Sequence, residues 1–310
     1  MRSTLVLIGI AAILLFCLLC YVCFRIACVR SQNVDRTRDA IPEGSPLFPY
    51  RDRFLAAGEM LDGLETQGWD IESFDGLRLH GEFFDANSEK TIILMHGYRS
   101  HWRGDFGIAL PFYLSLGFNV LLCDQRCHGK SEGRYITYGV HEKYDCRDWI
   151  LEVIRRRGED CQIFLSGMSM GAATVLLATK LKLPSQVKGI IADCGFTSGY
   201  DIVKLTTKGI NRHIPMFIVD CINFCCRLFA GFDLKEENTQ TAMKVCDKPI
   251  LFIHGTHDTF VPCEMTLRNY DTCVSRKELL TVRGAEHGMS YLLEEEHCKE
   301  VLKNFLEKCS

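Results

Sequence analysis

Three residues of this chain have the types and the order needed for nucleophilic acyl chemistry: Ser169, Asp258 and His287. Ser169 lies in Gly167-Met168-Ser169-Met170-Gly171, between an apolar strand-like run, Cys161–Ser166, and a small-residue helical run, Ala172–Ala178. A serine at a tight strand-to-helix turn sits in a strained backbone that lifts its hydroxyl off the sheet, and flanking glycines let the turn close. The hydroxyl is a weak nucleophile until a base takes its proton. His287 is the candidate base, in the small-residue loop Gly284–Gly288 after the strand-like run Leu279–Val282. Asp258 follows the strand-like run Pro249–Gly255 and would hold the imidazole in the useful tautomer and stabilise the imidazolium.

Other residues compete for these roles among ten histidines and many carboxylates. His96 and His254 stand at strand ends before glycine, and His128 lies in the turn-rich stretch Asp124–Ser131, so all three read as architectural. His257 adjoins the acid and points elsewhere if Asp258 faces the site. Asp193 and Asp124 also follow strands, and their plainer role is to bind loop backbone. An oxyanion needs two donors. The N–H of Met170, at the helix start, is one, and the loop Met95-His96-Gly97-Tyr98 supplies the other, with Tyr98 the best single choice.

The positioning elements follow from periodicity. Trp69–Phe74 and Leu77–Phe84 read as a hairpin through Asp75-Gly76. From Thr91 the chain alternates: strand Thr91–Met95, helix Ile108–Leu116, strand Phe118–Cys123, helix Asp145–Arg156, the nucleophile strand and helix, then strand Val187–Ala192. Such alternation implies a parallel sheet with helices on both faces, the hairpin adding an antiparallel edge. Between Thr197 and Val245 the alternation stops around Pro215 and a helical apolar run, Ile218–Phe229. That stretch exceeds an ordinary connection and is expected to form a small cap after the sixth strand.

Composition bounds the partners. A formal net charge of −3 without a dense basic block argues against nucleic acid. Leu5–Phe24 carries no charged side chain, and twenty helical residues span about 30 Å, the thickness of a bilayer core. The run is too long for a signal-peptide core and no small-residue cleavage site follows it, so residues 1–30 are expected to be a retained single-pass membrane anchor. Residues 31–64 then read as a tether with a short helical lead-in over Arg53–Leu64, and 65–310 as the catalytic domain, with a cap at about 197–245. Arg25, Arg30, Arg36 and Arg38 follow the apolar run whereas only Arg2 precedes it, which points the domain to the cytoplasm. The seventeen cysteines show neither disulfide-module nor zinc-knuckle spacing. They read as reduced thiols, with Cys123, Cys161, Cys194 and Cys246 acting as small hydrophobes in or beside core strands.

Taken together, the His96-Gly97-Tyr98 loop, the Asp124–Ser131 stretch, Gly167–Gly171, the Asp258 strand end and His287 resemble the α/β-hydrolase superfamily. More narrowly, the chain resembles the serine-aminopeptidase-like (S33-type) hydrolases and the membrane-anchored bacterial hydrolases related to the Bem46 group, from about Trp69 to the C-terminus. The resemblance implies an α/β-hydrolase fold with a mostly parallel eight-stranded sheet, and a serine hydrolase with no metal or organic cofactor. The motifs do not specify the substrate; an anchor beside a bilayer would suit acyl chains, so a small-molecule or lipid-like acyl substrate is expected, cleaved at a carboxylester or thioester bond through an acyl-enzyme. Peptide hydrolysis is the alternative within the family and would call on acidic groups in the cap, where Glu236 and Glu237 read as solvated surface. A non-catalytic membrane module would have no use for all three triad groups. One departure stands out: many relatives carry D-x-R-G-H-G-x-S, and here Cys127 occupies the first glycine.

Overall fold

The aliphatic runs of the sequence assemble into one sheet. The computed structural model describes residues 2–31 and 41–310, so Arg36 and Arg38 lie outside the described residues. In chain order the elements are α1 (Arg2–Cys28), α2 (Arg51–Asp62), β1 (Gln67–Glu72), β2 (Arg78–Phe84), β3 (Lys90–Met95), α3 (Trp102–Phe106), α4 (Leu110–Ser115), β4 (Asn119–Cys123), α5 (Glu142–Arg157), β5 (Gln162–Met168) and α6 (Met170–Ala178). The second half continues with β6 (Val187–Asp193), α7 (Gly199–Ile210), α8 (Phe217–Cys225), α9 (Thr239–Met243), β7 (Ile250–Gly255), α10 (Cys263–Thr272), β8 (Lys277–Val282), α11 (Ser290–Leu293) and α12 (Glu295–Cys309).

The eight strands lie in the order β1-β2-β4-β3-β5-β6-β7-β8. β2 pairs antiparallel with both β1 and β4, and every other neighbour pair is parallel. The expected hairpin turns at Gly76, whose φ of +82° an L side chain rarely adopts, and Ser73 Oγ donates to Asp75 Oδ1 at 2.6 Å to hold it. Central strands such as β4 are apolar on both faces because both are covered. One face packs Trp149, Val175, Leu176 and Met243 of α5, α6 and α9. The other packs Phe54, Phe106, Tyr113, Leu302 and Phe305 of α2, α3, α4 and α12. This is the parallel sheet with helices on both faces and an antiparallel edge that the alternation implied, with the eight strands that the resemblance implied. Its parallel strands all end at one edge, where their loops converge.

α1 is long and apolar enough to cross a membrane. Its early residues, Leu5 to Leu15, are largely exposed, while Cys20, Phe24 and Cys28 near its end are buried against the body. A bridge between Val29 and Tyr135 continues that attachment. Residues 32–40 of the expected tether lie outside the described residues. Beyond them, Phe48–Tyr50 forms one 3-10 turn leading into α2, which lies where the short helical lead-in was expected and buries Phe54 and Leu61.

Candidate active site

Ser169 occupies the turn between β5 and α6 with φ +56° and ψ −112°, a backbone state costly for a residue with a Cβ. The sheet fixes it there: Ser169 N–H donates to Asp193 O of β6 at 2.8 Å. The two flanking glycines serve packing. A Cβ on Gly171 would sit 1.8 Å from Met95 O, and one on Gly167 would sit 2.2 Å from Gly171 O. Only bare backbone lets the first turn of α6 approach β3 and β5 this closely.

Asp258 and His287 meet directly, with His287 Nδ1 donating to Asp258 Oδ2 at 2.6 Å. The same oxygen accepts from His254 Nε2 at 3.1 Å, and Oδ1 accepts from Phe260 N–H at 2.9 Å and Val261 N–H at 2.7 Å. Burial by itself would raise this carboxyl, but the hydrogen bonds from His254 and His287 outweigh it and hold Asp258 well below the usual carboxylate range. The acid is therefore ionised and saturated with donors. His287 Nε2 is left to face the site, with Cys194 Sγ 4.0 Å away.

Ser169 and His287 share no direct hydrogen bond in this arrangement, but two contacts join their surroundings. The loop carrying His287 rests on Met168, since a Cβ on Gly288 would lie 3.1 Å from Met168 Sδ. Phe260 packs edge-on to the imidazole with centroids 5.0 Å apart and lines the same cavity as Ser169. Distances between catalytic groups are commonly long before substrate binds.

Met170 opens α6, so its N–H has no partner within the helix. The Tyr98 loop abuts the Ser169 turn: a Cβ on Gly97 would stand 3.4 Å from Ser169 Cβ. Side chains lock that loop. Gly97 N–H donates to Asp105 Oδ2 at 2.7 Å, and Ser100 Oγ donates to Asp105 Oδ1 at 2.6 Å. His128 Nδ1 donates to Arg126 O at 2.8 Å, which leaves Nε2 to accept Arg99 N–H at 3.0 Å. Burial pushes His128 well below its ordinary pKa, keeping it neutral as that acceptor. His96 Nε2 likewise accepts Gln125 N–H at 3.2 Å. Cys127, at the unusual position, adopts the left-handed conformation that a glycine would provide, with φ +67°.

The competitors fall into other roles. Asp124 Oδ2 accepts Lys130 N–H at 2.8 Å, a loop-holding bond. His257 is exposed. Asp193 has a buried Oδ1 without a hydrogen-bond partner, and burial pushes its carboxyl up to about 6. His254 is structural, as expected, and it acts on the acid that holds His287, to which it donates. One expectation is corrected. Glu237 is not solvated surface: it is buried and ion-paired to Lys143 and Lys180, each at 2.5 Å. The residues that sequence reasoning missed are His254, Cys194 and Asp105. The spacing of His254 four residues before Asp258 was the one visible signal. Donor atoms of Cys194, Asp258 and His287 lie within 4.8 Å of one another, the compactness of a metal-ligand set. Asp258 nevertheless spends its oxygens on the four N–H donors above.

A cavity of about 290 Å³ opens over Ser169. Tyr98 and Phe260 line it, together with Ile202 of α7 and Ile218 and Ile222 of α8.

The family model for serine aminopeptidase, S33, matches residues 86–221. The uncharacterized protein YqkD of Bacillus subtilis is 27% identical over 250 residues, covering 80% of this chain and 82% of its own. The lysophosphatidylserine lipase ABHD12 of Danio rerio is 26% identical over 200 residues, 62% of this chain and 50% of its own. Among solved structures, the Pyrococcus furiosus esterase Pf2001 superposes with a TM-score of 0.64 at 26% identity, over 81% of this chain and 95% of that one. The sheet order, the strained serine at its strand-to-helix turn and these matches agree, and the chain belongs to the α/β-hydrolase superfamily.

Proposed function

We propose that this protein is a membrane-anchored serine hydrolase that cleaves carboxylester or thioester bonds of lipid-like acyl substrates. The observation that carries the reading is the 2.6 Å Asp258–His287 pair at the sheet edge where Ser169 stands in a strained turn. His287 Nε2 takes the Ser169 hydroxyl proton as Oγ attacks the acyl carbonyl, and ionised Asp258 stabilises the imidazolium that forms. The Met170 and Tyr98 N–H groups donate to the developing oxyanion. Collapse of the tetrahedral intermediate expels the alcohol or thiol, which takes its proton from His287. A water deprotonated by the same base then frees the acid and restores Ser169.

An apolar cavity over the serine favours an acyl chain over a peptide. An aminopeptidase would need a carboxylate to meet the substrate amine, and Glu237 of the cap is already neutralised by two lysines. The esterase and lipase among the similar proteins support acyl chemistry. Anchoring rests on α1, and the basic residues Arg25 and Arg30 at its end favour a cytoplasmic catalytic domain. The cysteine spacing shows no disulfide module, as in a reducing compartment. The test is hydrolysis of p-nitrophenyl esters, acyl thioesters and aminoacyl anilides by the full chain in micelles. Ester or thioester turnover falling by about 10⁴-fold or more in Ser169→Ala supports the proposal. Turnover that survives the substitution overturns it.

A further inference from the structure

The last turns of α1 do more than join the domain to an anchor. Helix ends leave carbonyls without helical partners, and those of α1 are taken up by loops of the site. Tyr98 and Tyr138 hydroxyls donate to Ala27 O at 2.8 Å and 2.7 Å. Arg99 Nη2 donates to Ile26 O at 2.6 Å and to Val29 O at 3.1 Å. The Tyr98 and Tyr138 rings stack with centroids 5.4 Å apart. The loop assigned to the oxyanion thus grips the helix end through the side chains of Tyr98 and Arg99.

Beside that grip, Cys23, Ile26 and Ala27 of α1 line the cavity that contains Ser169. The apolar surface also continues outward. Phe217, Phe224 and Leu228 on α8 and the turn after it are 53%, 56% and 62% exposed, and rings of α1 meet this face, Phe16 with Phe217 at 6.0 Å and Tyr21 with Phe229 at 5.2 Å. A continuous exposed apolar face joined to a bilayer-length helix marks a lipid-contacting surface.

We infer that the end of α1 forms one wall of an acyl-chain site, and that this site takes the fatty acyl chain of a membrane lipid ester, held between Cys23 and Ala27 on one side and Ile202, Ile218 and Ile222 on the other. The inference rests on the hydrolase reading above and adds its substrate class and a specificity-determining helix. A chain lying in the cavity brings its ester carbonyl to Ser169, and its other end points toward the apolar face shared by α1 and α8.

The experiment uses the full chain in detergent micelles and measures kcat/KM for p-nitrophenyl octanoate against p-nitrophenyl acetate. Ala27→Phe, and separately Cys23→Phe one turn earlier, fill the wall. Leu14→Phe adds the same ring on an exposed stretch of the same helix. The octanoate-to-acetate ratio is expected to fall about tenfold or more in both wall variants, the scale of lost fit for a few methylenes, and to stay at the wild-type value in Leu14→Phe. A ratio within about twofold of wild type in both folded wall variants overturns the inference. A fluorophosphonate separates the two readings: a labelled wild type with an unmoved ratio defeats the acyl-wall inference alone. A folded wild type that takes no label defeats the hydrolase reading and this inference with it.

Discussion

Replacing Asp258 by Asn tests the acid in a way that the geometry makes quantitative. Asp258 Oδ1 accepts two backbone N–H groups, from Phe260 and Val261, so the amide oxygen of the substituted side chain is retained there and its NH₂ takes the place of Oδ2. That position faces two imidazole donors, His287 Nδ1 at 2.6 Å and His254 Nε2 at 3.1 Å. His254 keeps its tautomer, because its Nε2–H also reaches Val261 O at 2.9 Å. Among the described residues, Asp258 is the one acceptor of the His287 Nδ1 proton. His287 therefore relieves the donor–donor contact by moving its proton to Nε2, the atom that receives the Ser169 proton in the proposed mechanism. A base in that tautomer costs about 10⁴-fold in kcat, or about 5 kcal/mol at 1.36 kcal/mol per tenfold. KM should move little, since Asp258 does not line the cavity. Loss of the charge-assisted bonds should cost only ~2 kcal/mol of stability, leaving a folded protein for the assay. Steady-state hydrolysis of p-nitrophenyl butyrate at neutral pH measures the effect. A folded Asp258→Asn variant with kcat within tenfold of wild type would refute the reasoning.

Asp193→Asn gives the opposite pattern. Burial raises the Asp193 carboxyl to about 6, above its unfolded value of about 3.9, so its favourable contribution is complete below pH ~4 and disappears as the pH rises through ~6. The variant should keep kcat within a few-fold, and its melting temperature should gain on wild type between pH 4 and 7.5, by the equivalent of ~2–3 kcal/mol; a pH-independent difference in thermal scans would contradict this. Arg126 is buried and doubly bonded to Asp145 at 2.6 and 2.7 Å and to Asp75 at 2.9 and 3.1 Å. Arg126→Met leaves Asp145 buried without its partner and should cost about 3–5 kcal/mol in chemical denaturation, most of it recovered when Asp145→Leu is added. Gly171→Ala forces a methyl to 1.8 Å from Met95 O, so the variant should fail to give monodisperse folded protein on size exclusion, and a well-folded product would show the β3–α6 approach to be looser than described.

Much of this architecture was legible because its signals are local. Period-two and period-3.6 runs mark strands and helices whatever they pack against, so β2 to β7 fall within a residue or two of their expected ends. α12 was missed although Cys298, Leu302, Phe305 and Leu306 form an apolar stripe, because its charged face dominates the composition. The Ser169 turn announces itself through the glycines that its close packing demands. Asp258 and His287 were singled out by following strands, and their pairing depends on loops after β7 and β8 that converge only because those strands are parallel neighbours. Nothing local could show that His254 shares the acid, that Glu237 would be buried between Lys143 and Lys180, or that Ala27 would be gripped by Tyr98 and Tyr138. Those contacts join residues up to 111 positions apart and exist only in the folded chain.

The account turns on whether Ser169 is an activated nucleophile. Full-length protein in micelles, treated with an alkyl fluorophosphonate and analysed by intact mass and peptide mapping, is predicted to carry one phosphonyl adduct per chain, located on Ser169 and lost in both Ser169→Ala and denatured wild type. Folded protein that takes up no adduct, or that is modified at a different residue, would contradict it.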